Sequence, residues 1–125
     1  MKSRAHRRRE EEYKRALAKI IEKKTRDKRF ELATITDVEL SEDFMYAEVY
    51  VDVIGSEQEK EASVTKFNDE EGFFRTNLAS EINPRYTPEL DFKLDRGLER
   101  MHRIEEILDR DDQSGEDDQE PEDER

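Results

Sequence analysis

Three segments of the chain carry the residue patterns of β-strands. Residues 46–53 alternate strictly between apolar side chains and polar or tyrosine side chains, and residues 89–95 alternate in the same way. Residues 32–40 are rich in Thr, Ile and Val, which are favoured in strands. The polar stretch "SEDF" at 41–44 separates the first two segments, so an antiparallel hairpin is the economical connection between them.

Three other segments carry the spacing of amphipathic helices. Apolar residues recur at i, i+4, i+7 and i+8 within residues 8–25, and helical spacing returns in residues 57–82 and 97–108. Gly72 interrupts the second of these segments, because a glycine inside a helix is about 1 kcal/mol less favourable than alanine. The prolines of "NPRYTP" at 83–88 end it.

The predicted order is helix, strand, strand, helix, kink, helix and strand, followed by a C-terminal helix. One face of a three-stranded sheet would pack on the helices in a two-layer α+β domain. We assign this domain to residues 1–108. Residues 109–125 contain no aliphatic or aromatic side chain, so they are expected to form a disordered acidic tail.

Charge is abundant and unevenly distributed. Charged residues make up 46% of the 125 residues, and the net charge of −12 divides into +8 over residues 1–30, −12 over 31–108 and −8 over 109–125. A basic N-terminus ahead of an acidic body indicates electrostatic steering toward a partner. The alternative is that this charge only keeps a small protein soluble.

The sequence lacks the features of secreted and membrane proteins. It contains no cysteine, which excludes disulfides and thiolate metal sites and suits a reducing cytosol. No apolar run follows the basic N-terminal residues as in a signal peptide, and no run of about 18 apolar residues is present to span a membrane. We therefore expect a cytoplasmic protein.

No catalytic or metal-binding arrangement is recognisable in the sequence. The chain has no GxxxxGK[ST], GxGxxG or GxSxG motif. His6 and His102 lie far apart, and neither has a second His or a Cys at ligand spacing. The paired acidic residues are typical of solvated helix faces. These observations predict a binding protein, not an enzyme, that needs neither a metal nor a cofactor.

The first helix carries the best candidate site. A stripe of Lys and Arg lies nearly opposite its apolar side and is suited to contact nucleic-acid phosphates. The predicted RNA-contacting residues in this helix and just after it are Arg8, Arg9, Arg15, Lys19, Lys23, Arg26, Lys28 and Arg29. Solvated helices also carry Lys and Arg, so an ordinary surface helix is the alternative.

Two blocks of sequence are distinctive when taken together. The first is "TITDVELSEDFMYAEVYVDVIG" at 34–55. The second is "EGFFRTNLASEI" at 71–82 followed by "RYTPELDFKLDRGLERMHRIEEIL" at 85–108. Both resemble the ribosome-binding factor A family, whose members assist assembly of the bacterial small ribosomal subunit. The resemblance covers residues 8–108, and it is specific because the blocks occur in this order and at this spacing.

The resemblance implies a fold similar to a type II KH domain. It also implies binding to the small ribosomal subunit, near its rRNA, during late maturation, and the family is linked to rRNA processing. We expect a monomer, with ribosomal proteins as candidate further partners. The family is linked to growth in the cold. It has no known catalytic activity and needs no cofactor.

The sequence departs from the family pattern in two places. The family has Asp-Pro-Arg after the first helix, whereas 27–29 read Asp-Lys-Arg, so the helix is expected to run slightly further. The family has an Ala-x-Gly kink where KH domains have a GxxG loop, whereas Glu70, Glu71 and Gly72 stand here. A carboxylate at this kink is expected to repel phosphate. Arg75 and Arg85 complete the set of predicted RNA contacts.

Three functions remain open on the sequence alone. The leading hypothesis is a non-enzymatic ribosome assembly factor. The second is an adaptor whose acidic sheet and tail bind a basic ribosomal protein, and the third is a chaperone of free RNA. The basic helix favours contact with RNA, whereas the net negative charge disfavours tight nonspecific binding to free RNA.

Overall fold

The computed structural model describes residues 2–25 and 27–97. The predicted helix beyond Gly97 and the predicted tail therefore lie outside the described residues, as does Arg26. In chain order, the described elements are α1 (Arg4–Lys24), α2 (Lys28–Glu31), β1 (Ala33–Leu40), β2 (Tyr46–Val53), α3 (Glu57–Asp69), α4 (Glu71–Glu81), a 3-10 turn (Pro84–Tyr86) and β3 (Glu89–Leu94).

The three strands form one sheet in the order β1-β2-β3. β1 and β2 are antiparallel, which confirms the predicted hairpin, and β3 is parallel to β2. Parallel neighbours need a crossover connection, which α3 and α4 supply. Apart from the single turn α2, the succession helix-strand-strand-helix-helix-strand is that of a type II KH-like domain, so the predicted α+β class is confirmed.

A bulge at Thr36 gives β1 its buried face. Ile35 pairs with Val51, but the next pair is Asp37 with Tyr50, so Thr36 is an extra residue in the strand. After Ile35 the extra residue shifts the inward-facing positions by one, because side chains of a strand point to opposite faces with a period of two. Val38 is therefore buried on the same face as Ile35, and the acidic Asp37 stays out of the core.

α1 packs its apolar stripe on the inner face of this sheet, as its spacing predicts. Tyr13, Leu17 and Ile20 are buried. The helix begins at Arg4, four residues before the predicted start, because the side chain of Ser3 caps it by accepting a 3.0 Å hydrogen bond from the His6 N–H. The polar residues of this first turn carry no hydrophobic signal that would have revealed it.

Phenylalanine rings from four elements form the second part of the core. Neighbouring rings of Phe30, Phe67, Phe74 and Phe92 have centroid separations between 4.6 and 5.4 Å. Phe30 is the contribution of α2, a separate single turn of helix. The expected extension of the first helix is therefore wrong: α1 ends at Lys24, and α2 follows.

Two side chains beside the break between α3 and α4 hold the outer edge of β3. Asn68 accepts the Phe92 N–H at 2.8 Å and donates to the Phe92 carbonyl at 3.0 Å. Glu71 accepts the Leu90 N–H at 3.0 Å. These bonds occupy backbone groups that an edge strand would otherwise present to another chain.

The break lies within the predicted kink but not at its glycine. Glu70 separates the helices, with φ −101° and ψ 21°. Gly72 lies in the first turn of α4 and is exposed. A Cβ added at this position would meet no neighbouring side chain or strand within 4 Å. The glycine is therefore not what interrupts the helix.

Candidate nucleic-acid interface

Four of the predicted basic residues lie on the solvent-facing side of α1. Arg8, Arg15, Lys19 and Lys23 are exposed, while the opposite side of the helix is buried against the sheet. Arg15 keeps 68% of its side chain exposed and lies 3.9 Å from Glu11, so this ion pair is weak. We call these four residues the basic face of α1.

Lys19 connects the basic face to the end of α4. Its Nζ lies 3.1 Å from Oε1 of Glu81, and the Lys19 side chain is 54% exposed. An exposed pair of this kind contributes about 0–1 kcal/mol. Glu81 is thus a carboxylate at the border of the basic face, and the pair leaves Lys19 accessible.

Arg9 has a different environment from its neighbours on the helix. Its guanidinium lies 4.8 Å from the centroid of the Phe44 ring and 4.4 Å from that of the Tyr86 ring. Both are cation–π distances. Phe44 comes from the turn between β1 and β2, and Tyr86 from the 3-10 turn. Two turns that are far apart in sequence therefore both contact α1 through Arg9.

The 3-10 turn is also fixed to α1 by a hydrogen bond. The hydroxyl of Tyr13 donates to the carbonyl oxygen of Tyr86 at 2.8 Å. Burial raises the pKa of Tyr13, and the nearby Arg9 partly opposes this shift. Arg85, another predicted RNA contact, is exposed on the same turn. Arg9 and Tyr86, the residue after Arg85, are therefore in contact although they are far apart in sequence.

The residues at the kink are paired with neighbours in the structure. Arg75 lies 3.2 Å from Glu71, whose carboxylate also accepts the backbone of β3. Glu70 lies 3.2 Å from Lys66 on α3. The expected repulsion of phosphate by bare carboxylates at this kink is therefore weakened, because each carboxylate has a cationic neighbour. Lys28 and Arg29 begin α2, but their side chains are outside the described atoms.

The outer face of the sheet is acidic. The register places Glu39 opposite Glu48, and Glu48 opposite Asp91, so one row of carboxylates crosses all three strands. Lys93 reduces their repulsion, with its Nζ 3.0 Å from Glu48 and 3.9 Å from Asp91. Glu39 and Asp91 are exposed. The described part of the chain thus presents a basic helix on one side and an acidic sheet face on the other.

Residues 2–25 and 27–97 contain no group of three His, Cys, Asp or Glu side chains that could hold a metal ion. Within the same residues, no helix is long and apolar enough to cross a membrane. His6 is buried, and its Nε2 lies 3.0 Å from the carbonyl oxygen of Leu40. Because a carbonyl only accepts, the ring donates this bond and serves to attach α1 to β1.

Comparison with known proteins decides the family. The family model described as ribosome-binding factor A matches residues 5–108. The ribosome-binding factor A of Brevibacillus brevis is 36% identical over 98 residues, covering 78% of this chain and 81% of that protein. The chain belongs to the ribosome-binding factor A family.

Solved structures of ribosome-binding factor A share the fold. The crystal structure of the factor from Thermus thermophilus is 30% identical, with a TM-score of 0.63 over 71% of this chain and 94% of that chain. A homology model of the Thermus thermophilus factor, fitted into a cryo-EM map of a 30S complex, is 29% identical, with a TM-score of 0.59 over 77% of this chain and 97% of that chain.

In this member of the ribosome-binding factor A family, the sequence prediction missed the aromatic neighbours of Arg9. Phe44 and Tyr86 lie in short connections and carry no periodic signal. One indication was available: "NPRYTP" places Tyr86 directly after Arg85, and an aromatic residue beside Arg is a composition that RNA-binding surfaces use. In the sequence His6 was considered only as a metal ligand, for which it has no partner at suitable spacing, and its contact with β1 was not anticipated.

Proposed function

We propose that this protein binds the small ribosomal subunit and assists late maturation and processing of its rRNA, and that it does so without catalysis. Family membership supports the ribosome as the target, as does the fitted 30S complex of the Thermus thermophilus relative. In this proposal the factor acts in the cytoplasm as a monomer.

The observation that carries the proposal is the basic face of α1. Arg8, Arg15, Lys19 and Lys23 are exposed together on a helix whose other side is buried, so they serve no packing purpose. Residues 1–30 carry a net charge of +8 in a chain whose total is −12. Such a concentration of cations favours contact with phosphates, while the acidic remainder limits nonspecific binding to other RNA.

Charge reversal on this face tests the proposal. Arg8→Glu/Lys23→Glu changes two exposed residues, so circular dichroism and the thermal midpoint should be close to those of the wild type. Pelleting with purified small subunits across a salt series should show weaker binding. The log–log salt dependence should flatten by about 0.7–0.9 for every phosphate that the variant no longer contacts. A folded variant that pellets with wild-type affinity and salt slope would contradict the proposal.

A second candidate function is supported by the row of carboxylates on the sheet. A basic segment of a ribosomal protein could bind this face, which would make the protein an adaptor. Glu39→Lys/Asp91→Lys reverses two exposed carboxylates and is the matched variant. Under the leading proposal it retains most subunit binding, whereas under the adaptor function it loses binding and the helix variant does not.

The maturation step is tested in cells. Replacing the chromosomal copy by the charge-reversed helix variant should increase the precursor of small-subunit rRNA, with a stronger growth defect in the cold. Normal precursor levels in cells whose variant no longer pellets with small subunits would contradict a role in rRNA processing. They would leave binding itself unaffected.

A further inference from the structure

Side chains from three separate segments form one continuous stack that ends at the surface. The ring of His6, on α1, lies 4.9 Å from that of Phe44, measured between centroids. The guanidinium of Arg9 lies between Phe44 and Tyr86, 4.8 Å from the first ring and 4.4 Å from the second. The order is therefore His6, Phe44, Arg9 and Tyr86, and the exposure increases from 6% at His6 to 39% at Tyr86.

Each end of the stack is held in place by the backbone. His6 donates to the Leu40 carbonyl at 3.0 Å, and the Tyr86 carbonyl accepts from Tyr13 at 2.8 Å. Phe44 has a φ of 62°, which few residues with a side chain adopt. The turn keeps this conformation in a residue whose ring contacts both His6 and Arg9. The stack is therefore anchored at both ends by hydrogen bonds to backbone carbonyls.

Arg9 has an unusual set of neighbours for a cation within the described part of the chain. Among the described residues, no Asp or Glu forms an ion pair with Arg9. Its neighbours are the two rings and the hydroxyl of Tyr13. Arg85, which directly precedes Tyr86 in the chain, is exposed. An exposed aromatic ring therefore has one arginine against its face and an exposed arginine next to it in sequence.

We propose that Tyr86 is a stacking platform for one nucleobase of single-stranded RNA, with Arg9 behind its ring and Arg85 placed to contact the adjoining phosphate. Exposed aromatic rings beside arginines bind unpaired bases in this way, because every base has a π-face and every nucleotide a negative charge. A phosphate alone would need the cations but not the ring. The inference rests on the proposed function, since it specifies how the factor engages rRNA.

Paired probes separate stacking from charge. A fluorescent oligoadenylate and an abasic oligonucleotide of equal length carry the same phosphates, but only the first has bases. Tyr86→Leu should weaken binding of the oligoadenylate by about 5- to 150-fold, the range for loss of one base–aromatic stack. It should leave binding of the abasic probe unchanged. Tyr86→Phe keeps the ring and should bind both probes like the wild type.

Two controls make the result specific to this ring. Tyr46→Leu removes another exposed tyrosine, on the acidic sheet face, and should change neither affinity. Arg8→Glu/Lys23→Glu should weaken both probes alike. Circular dichroism of every variant establishes that it is folded.

The outcomes distinguish the inference from the function on which it rests. If Tyr86→Leu is folded and binds oligoadenylate like the wild type, or if the wild type binds neither probe or both equally, stacking at Tyr86 is wrong. Loss of subunit binding in the α1 charge-reversed variant would then leave the proposed function standing. If Tyr86→Leu loses affinity for oligoadenylate while the α1 charge-reversed variant binds both probes and small subunits like the wild type, the proposed RNA-facing surface is wrong and the platform at Tyr86 remains.

Discussion

The hydroxyl of Tyr13 and the carbonyl oxygen of Tyr86 are joined by a 2.8 Å hydrogen bond between residues 73 positions apart. The bond fixes the 3-10 turn before β3 to the middle of α1. Since Arg9 contacts the ring of Tyr86, the same link sets the position of a cation predicted to bind RNA. One attachment of the candidate interface to the core is thus a contact that a single substitution can test.

Tyr13→Phe removes only this hydroxyl. The ring remains buried, so packing is preserved, while the Tyr86 carbonyl loses its partner. We expect the free energy of unfolding to fall by about 1 kcal/mol, measured by urea denaturation. Tyr46→Phe, at an exposed tyrosine, is the control and should change it little. Equal stability of Tyr13→Phe and the wild type would show that the hydrogen bond contributes nothing.

The pKa of Tyr13 should make the protein sensitive to alkali. Burial raises this pKa above the ordinary value of about 10, so between the two values the unfolded chain loses a proton that the folded chain keeps. The resulting stability is present below about pH 10 and is lost as the pH rises through the folded pKa. Thermal midpoints above about pH 10 should fall more steeply for the wild type than for Tyr13→Phe. Parallel curves would refute this.

Gly72→Ala should stabilise the protein. The glycine is in the first turn of α4, and an added Cβ meets nothing within 4 Å. Alanine reduces the entropy of the unfolded chain, so we expect a gain of about 0.4–1 kcal/mol in the free energy of unfolding. Gly55→Ala is the contrasting variant, because Gly55 has a φ of 147° and its Cβ would lie 2.7 Å from Glu59. A loss of stability in Gly72→Ala would restore the glycine as a required hinge.

Glu71 and Glu70 should differ sharply in importance although they are adjacent. Glu71 accepts the Leu90 N–H and pairs with Arg75, so Glu71→Ala should lower the free energy of unfolding by about 1–2 kcal/mol. Glu70 forms a partly exposed ion pair with Lys66, so Glu70→Ala should change the free energy of unfolding by about 0.5 kcal/mol or less. Thermal denaturation of both variants measures the difference. Equal effects would mean that the contact with β3 is unimportant.

Local patterns predicted most of the fold. The alternation in 46–53 matches β2 residue for residue, because every buried position of this strand lies on the same face of the sheet. The short polar connection correctly predicted the hairpin. The bulge at Thr36 was not predicted, since it is visible only once the register with β2 is known. The packing of Phe30 was not predicted either, because Phe30 lies on a separate helical turn and contacts rings of residues much later in the chain.

The candidate site was predicted less completely, for a physical reason. Helical spacing correctly places Arg15 and Lys23 in solvent, because that depends on α1 alone. The surroundings of Arg9 depend on Phe44 and Tyr86, which arrive through tertiary contacts between distant segments. A run of arginines looks uniform in sequence, and only the fold separates the residue between two rings from those that face water.

The native Glu81 is expected to lower the affinity of the basic face of α1 for RNA. Its carboxylate lies 3.1 Å from Lys19 and competes with phosphate for that cation. Glu81→Gln removes the charge but keeps the shape, and because exposed ion pairs contribute about 0–1 kcal/mol, stability should change little. Affinity for small subunits should increase, and the log–log salt dependence should steepen by up to about 0.7–0.9 as Lys19 gains a phosphate.

Glu61→Gln removes an equal charge from the exposed side of α3 and is the control for a general change in net charge. If both variants raise subunit affinity equally, the effect is due to total charge and not to release of Lys19. If Glu81→Gln binds like the wild type while Arg8→Glu/Lys23→Glu loses affinity, RNA contacts α1 but does not reach Lys19. The steeper salt slope in Glu81→Gln alone is the result that would extend the RNA-contacting surface from α1 to the end of α4.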